Sequence, residues 1–201
     1  EAMKSKKKWF PYNKGGQFRN WYGNDWFIVN WEDDGKDIKK NILLSYPYLK
    51  TPDFVAKNTN YYFKKGISWS TTSGGTFSIR YSDVGYIFDA TGSKIFSDKY
   101  IFSLLCFLSS KVVNPFFVIL TPTLDFSVGY VKLLPVLITK QLEMRLENIW
   151  KPTIKIAKKD WNSYETSWDF EQLPLLSKEN KSEDITSSYQ NYRSKCKQMT
   201  D

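Results

Sequence analysis

Between Tyr61 and Tyr81 the chain reads YYFKKGISWSTTSGGTFSIRY, and residue types that could hold an anion gather there. Lys64 and Lys65 precede Trp69. Ser70, Thr71, Thr72 and Ser73 follow, then Gly74 and Gly75, then an alternating run that carries Arg80. Lysines and hydroxyls bond phosphate oxygens, polar side chains reach base edges, and glycine-rich loops expose backbone N–H groups. The stretch lacks the Gly-Lys-Ser/Thr ending of a P-loop, which argues against nucleotide hydrolysis. From these residues alone two readings stay open: a loop that binds a polyanion, and a flexible connection between two strands.

Composition narrows the remaining chemistry. The 201 residues contain no histidine. Serine–histidine and cysteine–histidine nucleophile pairs are thereby excluded, as are the usual histidine metal sites. Cys106 and Cys196 are single and far apart, without metal spacing or a disulfide framework, which fits a reducing cytoplasm. A formal net charge of +8 favours an acidic partner, most often nucleic acid, although it also serves solubility. The stretch KKDWNSYETSWDF (158–170) holds acidic residues that could be paired for acid–base work. It reads instead as an exposed amphipathic helix with Trp161, Tyr164 and Trp168 packed inward. NPFF (Asn114–Phe117) resembles the Asn-Pro-Pro-aromatic motif with which amino methyltransferases hold a flipped base. The second proline is missing, the flanks are helical, and no glycine-rich loop follows an apolar strand. A helix-breaking Asn-Pro is the better reading.

The elements that must position these residues come from hydrophobic periodicity. With 41% hydrophobic and 17% aromatic residues, the chain folds as one substantial domain, or as one domain with an appendage. Aromatic strands up to Trp31 are punctuated by turn signals at Asn13–Gly16, Gly23–Asp25 and Asp33–Gly35, with DWFIVNW as a strand. Trp21, Tyr22, Trp26 and Trp31 are core residues by default, with base stacking a minority role for one or two. A short helix ends before Pro47. Phe77, Ile79 and Tyr81 alternate with Ser78 and Arg80, and after the turn Ser82–Gly85 Tyr86, Phe88 and Ala90 alternate with Ile87 and Asp89. That is the pattern of a hairpin with one buried face and Arg80 on the other. Residues 100–120 have the length of a membrane helix, but Ser109, Ser110, Lys111, Asn114 and Pro115 lie at the centre. A buried helix breaking at Pro115 is expected, and no membrane span. Pro122 and Pro135 bracket a short strand and turn. Ile138, Leu142, Leu146 and Ile149 mark a helix that Pro152 interrupts. The start, EAMKSKKKWF, lacks the apolar core and cleavage site of a signal peptide, and Glu1 ahead of Met3 reads as an expressed fragment with a tag scar. No internal repeat is found.

Several segments taken together resemble a known family. KWFPYNKGGQFRNWYGN…VNWEDDG, YYFKKGISWSTTSGGTFSIRYSDVGYIFD and AKKDWNSYETSWDFEQLPLL resemble the region after the catalytic domain of adenine-specific DNA methyltransferases of the BREX (bacteriophage exclusion) systems. LLCFLSSKVVNPFFVILTPTLDFSVGYVKLLPV is similar to the segment closing a target-recognition domain there and in restriction–modification specificity proteins. Ser109, Thr121, Asp125 and Tyr130 depart from the usual form. The likeness covers roughly residues 8 to 176.

The resemblance implies a sequence-specific DNA-recognition region of an adenine-N6 methyltransferase, cut from its catalytic domain. Such a fragment would hold no catalytic residue, metal or cofactor, S-adenosylmethionine belonging to the parent enzyme. Its partners would be double-stranded DNA, the catalytic domain of the same chain and other defence-system proteins, in the cytoplasm. The expected fold is α+β. A twisted, mainly antiparallel sheet (9–98) and packed helices (99–157) make a DNA target-recognition domain over 9–157. Residues 158–201 form a helical extension with a polar tail expected to be partly disordered. Lys14, Arg19, Lys64, Lys65 and Arg80 are candidates for phosphate or guanine contacts. Trp69, Ser70, Thr71, Thr72 and Ser73 are candidates for the recognition loop. The rival from another class is a protein-interaction module that docks components of a defence complex.

Overall fold

The structure, a computed structural model, describes residues 5–121 and 125–200. It is α+β, with small, mainly antiparallel sheets and helices packed against them. The expected strands divide between two three-stranded sheets. In the first, β1 (Trp9–Asn13) pairs antiparallel with β2 (Phe27–Asn30) and parallel with β5 (Ile87–Phe88). In the second, β3 (Gly66–Trp69) lies between β4 (Ile79–Ser82) and β6 (Lys94–Ile95), antiparallel to both. β4 and β5 therefore sit in different sheets, and the hairpin expected over 77–90 does not form. Nor does β4 have one wet face: Ile79, Arg80 and Ser82 are all buried.

Each sheet has its own core. α1 (Glu32–Ser45) covers the first and ends before Pro47, as the sequence indicates. It opens on a left-handed turn at Asp33, Asp34 and Gly35, with φ of 49°, 60° and 73°. The ring of buried Trp31 lies against Gly35, where a Cβ would come within 2.7 Å of it. Trp31 packs edge-on against Tyr62 and joins Phe10, Ile42, Ile87 and Phe88 in this core.

The second core is drier. Ile67, Trp69 and Ile79 meet α2 (Ile101–Ser109), α3 (Val113–Leu120) and α5 (Lys140–Trp161) through Leu105, Val113, Phe117 and Trp150. α2 and α3 meet at a 71° bend. The chain breaks over residues 110–112 rather than at Pro115, which occupies the first turn of α3, where its missing N–H costs no helical bond. No single helix among the described residues is long and apolar enough to cross a membrane, and the bent pair passes that test only jointly. Glu143, on α5, is buried and accepts from the Phe102 and Ser103 N–H groups at 2.9 and 2.7 Å, capping the start of α2. Thr139 caps α5, its Oγ1 accepting from the Leu142 N–H at 3.1 Å. α5 runs through Pro152 instead of stopping there.

Where described, the segment between Pro122 and Pro135 holds the short helix α4 (Val128–Val131); Pro122–Leu124 lie outside the described residues, as do residues 1–4. After α5 the chain turns rather than continuing as an amphipathic helix. Trp161 is buried while Tyr164 and Trp168 are about half exposed. The polar tail forms α6 (Ile185–Thr200), whose Lys195 Nζ donates to the Glu179 carbonyl; ahead of it Asn180 Nδ2 donates to the Pro174 carbonyl.

Candidate nucleic-acid interface

A polar seam runs between the two sheets, and the candidate site is built on one end of it. Asn13 closes β1, its Nδ2 donating to Asp25 Oδ1 at 3.4 Å and its Oδ1 accepting from Ser82 Oγ at 2.6 Å. Arg80 points into the same seam, only 2% exposed. Its guanidinium donates to Ser70 Oγ at 3.2 Å, Ser78 Oγ at 3.5 Å and the Arg19 carbonyl at 3.4 Å. Burial lowers Arg80 to about 10, with the Asp25 charge opposing, so it stays cationic at neutral pH. Burial pushes the Asp25 carboxyl up to about 6, against the pull of the Tyr86 hydrogen bond and the charges of Arg80, Lys158 and Lys94.

Three loops meet beyond this seam. Ser70 fixes residues 14–18 by accepting from the Gly16 N–H and donating to the Gly16 carbonyl, both at 3.0 Å. The 89–92 turn is closed by Asp89, whose Oδ1 accepts from the Thr91 N–H, the Thr91 hydroxyl and the Gly92 N–H at 2.8, 2.6 and 3.0 Å. Tyr12 donates to its other oxygen at 2.7 Å. Burial raises the Asp89 carboxyl, but these hydrogen bonds outweigh it and leave the group below the ordinary range. The Thr71 N–H donates to the Thr91 carbonyl at 3.1 Å, and the Phe126 N–H to the Thr71 carbonyl at 2.6 Å. Between the first and last of these anchors lies an open groove of about 610 Å³, lined by residues 16–18 and 72–75.

The ten residues singled out in the sequence do not share one surface. Lys14, Thr71, Thr72 and Ser73 come together at this end, with Lys14 exposed and its Nζ 5.4 Å from the Phe27 ring. Lys64 and Lys65 are exposed but precede β3, whereas the hydroxyl loop follows it. Four strand residues at roughly 3.3 Å each separate the two ends by about 13 Å. Lys64 lies over the Tyr61 ring at 5.0 Å. Trp69 is a core residue, 1% exposed, and its Nε1 donates to the Phe126 carbonyl at 2.7 Å. Ser70 and Arg80 are buried as described, so Trp69, Ser70 and Arg80 present no surface to a large partner. Arg19 is committed to structure: Nε donates to the Tyr22 carbonyl, Nη2 bonds Asp160 Oδ2 at 2.6 Å, and the guanidinium lies 4.8 Å from the Trp161 ring. Among the aromatics, Tyr22 and Trp31 are buried, while the more exposed Trp21 and Trp26 pack edge-on against Trp150 and Trp161. A second cavity, about 300 Å³, lies apart between Tyr22, Asp25, Tyr86, Lys158, Trp161 and Trp168.

Among the described residues no cluster of histidine, cysteine or acidic side chains could hold a metal ion. Sequence reasoning missed Asp89 and Asn24, which shape two of the three loops. Asp89 was readable, since Asp-Ala-Thr-Gly has the form of a side-chain-closed turn. Asn24, at φ 61°, donates from Nδ2 to the Gln17 carbonyl at 2.9 Å, and only the Gly-Asn-Asp turn signal hints at it.

Comparison with known proteins places this geometry in context. Over 172 residues, 85% of the chain, it is 39% identical to the adenine-specific methyltransferase PglX of Lacticaseibacillus casei (strain Zhang). Over 196 residues, 96% of the chain, it is 34% identical to the adenine-specific methyltransferase BrxX of Escherichia coli O9:H4 (strain HS). The chain is homologous to a segment of these methyltransferases. It spans 14% of the first and 15% of the second. No family model matches.

Proposed function

We propose that this chain is a DNA-reading segment of an adenine-N6 methyltransferase in a phage-defence system, placing a short duplex site for a catalytic domain outside it. The observation that carries the reading is the loop junction. Polar and glycine residues at 71–76 stand on backbone anchors beside exposed Lys14, on a chain of net charge +8. The homology to adenine-specific methyltransferases supports the methyltransferase part of this reading, and the DNA-reading part rests on the loop junction. Lys14, Lys64 and Lys65 contact phosphates at two points along the duplex. Thr71, Thr72 and Ser73 approach the bases. Arg19, Trp69, Ser70 and Arg80 hold the loops in place rather than touching DNA. Methyl transfer from S-adenosylmethionine, and the groups that bind it, belong to the rest of the enzyme, which acts where the host DNA is, in the cytoplasm.

Two measurements test this. The 196 aligned residues of BrxX are exchanged for this chain and the methylated adenines of the host genome are mapped. A changed methylation motif is expected, and an unchanged one overturns the reading. Separately, Lys64→Ala with Lys65→Ala lowers the log–log salt slope of DNA binding by up to ~2, at about 0.9 per phosphate contact. Lys14→Ala lowers it by about half as much. An unchanged slope removes those lysines from the interface.

A second reading, docking to other parts of a defence complex, is favoured by a different observation. Ile119 is 79% and Leu137 92% exposed, with Val118 and Leu133 also largely bare. The two readings rest on different residues, and a methylation motif that survives the exchange selects the second.

A further inference from the structure

We infer that Gln17 and Phe18 form the second rim of the reading groove, and that Gln17 specifies an adenine while Phe18 packs on a thymine methyl. This rests on the DNA-reading function proposed above and adds residues that composition did not single out.

The case begins with how residues 16–20 are held. Every anchor described for this loop runs through the backbone or through Arg19 and Asn20. Gly16 is fixed on both its N–H and its carbonyl by Ser70. The Gln17 carbonyl accepts from Asn24. The Arg19 carbonyl accepts from buried Arg80, and Asn20 Oδ1 accepts from the Ile79 N–H at 3.1 Å. A Cβ at Gly16 would lie 2.9 Å from Asn24 Nδ2, so the loop sits tightly on its support. Gln17 and Phe18 are the exception. Gln17 is exposed and its side chain makes no hydrogen bond among the described residues; Phe18 is 55% exposed. Both line the groove, facing Thr72–Gly75 across it.

This is a pre-organised arrangement, in which the ordering entropy of the loop is met by folding rather than by binding. The chemistry of the two side chains points one way. A glutamine amide donates to N7 and accepts from the N6 amino group of adenine, a two-point match that no other base offers in the major groove. An exposed aromatic edge suits the thymine methyl. Gly74 and Gly75 on the far rim meet nothing within 4 Å of a built Cβ, leaving room for a sugar–phosphate backbone to approach. Lys14 stands three residues from Gln17 to neutralise a neighbouring phosphate.

The test is selection from a randomised duplex pool with the purified full chain at low salt, comparing wild type with Gln17→Ala, Phe18→Ala and Gln17→Glu. The wild type is expected to enrich a motif containing an A·T pair. Gln17→Ala should lose preference at that one position and bind the wild-type site roughly 5- to 150-fold more weakly. Its binding to unrelated duplex, its salt slope and its melting temperature should stay unchanged. Phe18→Ala should relax the thymine requirement, and Gln17→Glu should move the preference towards cytosine, whose N4 amino group donates. If Gln17→Ala enriches the same motif as wild type, the assignment to Gln17 fails while the DNA-reading function stands. If the wild type binds no duplex, or binds without enriching any motif, the proposed function fails and this inference with it.

Discussion

Gly66–Ser70 and Thr71–Thr76 are consecutive in sequence and both carry hydroxyl and glycine residues, yet the fold uses them in opposite ways. All five residues of the first group are buried, and their side chains point to partners inside: Ser68 Oγ to the Gly92 carbonyl, Trp69 to Phe126, Ser70 to Gly16. From Thr72 onward the chain is held by backbone pairing alone, Thr72 bridging to Asp125, and residues 74–76 are exposed. The hydroxyls of the first group are part of the support, as is that of Thr71, which donates to the Thr91 carbonyl at 3.4 Å, whereas Thr72, beyond it, is exposed. Function in such a run is set by where the strand ends, not by which residues are polar.

The sharpest way to break that contrast is to truncate one residue on each side of the boundary. Trp69→Ala should destabilise the fold by about 3–5 kcal/mol, through loss of a core indole and an unpaired Phe126 carbonyl. Thr72→Ala should lie within about 0.5 kcal/mol of wild type. Urea unfolding of the two variants decides; equal losses would mean the loop beyond Trp69 is as structural as the strand.

The next effect tests whether the seam under the loops is polar at a cost. The Asp25 carboxyl is raised to about 6 in the fold, chiefly by burial, from an ordinary value near 3.8. A native state that holds this proton more tightly than the unfolded chain gains stability as pH falls through the window between about 6 and 4. It carries the full cost of the charged form above it. That cost is on the order of 3 kcal/mol. Asp25→Asn keeps the oxygen that accepts from Asn13 and removes the charge. It should therefore be more stable than wild type at pH 7, with the gap closing towards pH 4 in parallel urea titrations. A gap that does not change with pH would show that Asp25 is not the group that makes the seam costly.

Much of this architecture was legible in the chain, and the misreadings share a cause. The stop of α1 before Pro47, the strand at Phe27–Asn30 and the apolar helices after Tyr100 followed from local signals. The hairpin at 77–90 did not form because alternation reports burial on one face without saying which sheet a strand joins. With Arg80 at a polar position of that pattern, the sequence pointed it to solvent. The fold turns it into a seam between two sheets, where Ser70 and the Arg19 carbonyl receive it. The anchors that define the candidate groove link residues far apart, such as Gly16 with Ser70 and Tyr12 with Asp89. No local pattern encodes such a pairing, so the polarity of the loop was visible and its rim at Gln17 and Phe18 was not. Pro152 misled for a different reason: α5 is packed along its length through Trp150 and Trp161, and that burial outweighs one missing helical bond.

The smallest expected effect probes the tip of the loop itself. A Cβ at Gly74 or Gly75 would meet nothing within 4 Å, and neither residue has a left-handed φ. Alanine at either position should therefore stabilise the fold by about 0.4–1 kcal/mol, by narrowing the freedom of the unfolded chain. In a chain of this size that is a rise of roughly 1–4 °C in Tm. Gly66 is the counter-case within the same segment, where a Cβ would lie 2.5 Å from the Ile95 carbonyl oxygen, so Gly66→Ala should lower Tm by disturbing the β3–β6 pairing. A thermal melt of the three variants ranks them directly. If Gly74→Ala and Gly75→Ala also lose stability, the tip is tied down in solution and the groove beside it is narrower than its open geometry. If they gain stability but weaken DNA binding, the glycines are there for the close approach of a backbone, which places the duplex on the rim opposite Gln17.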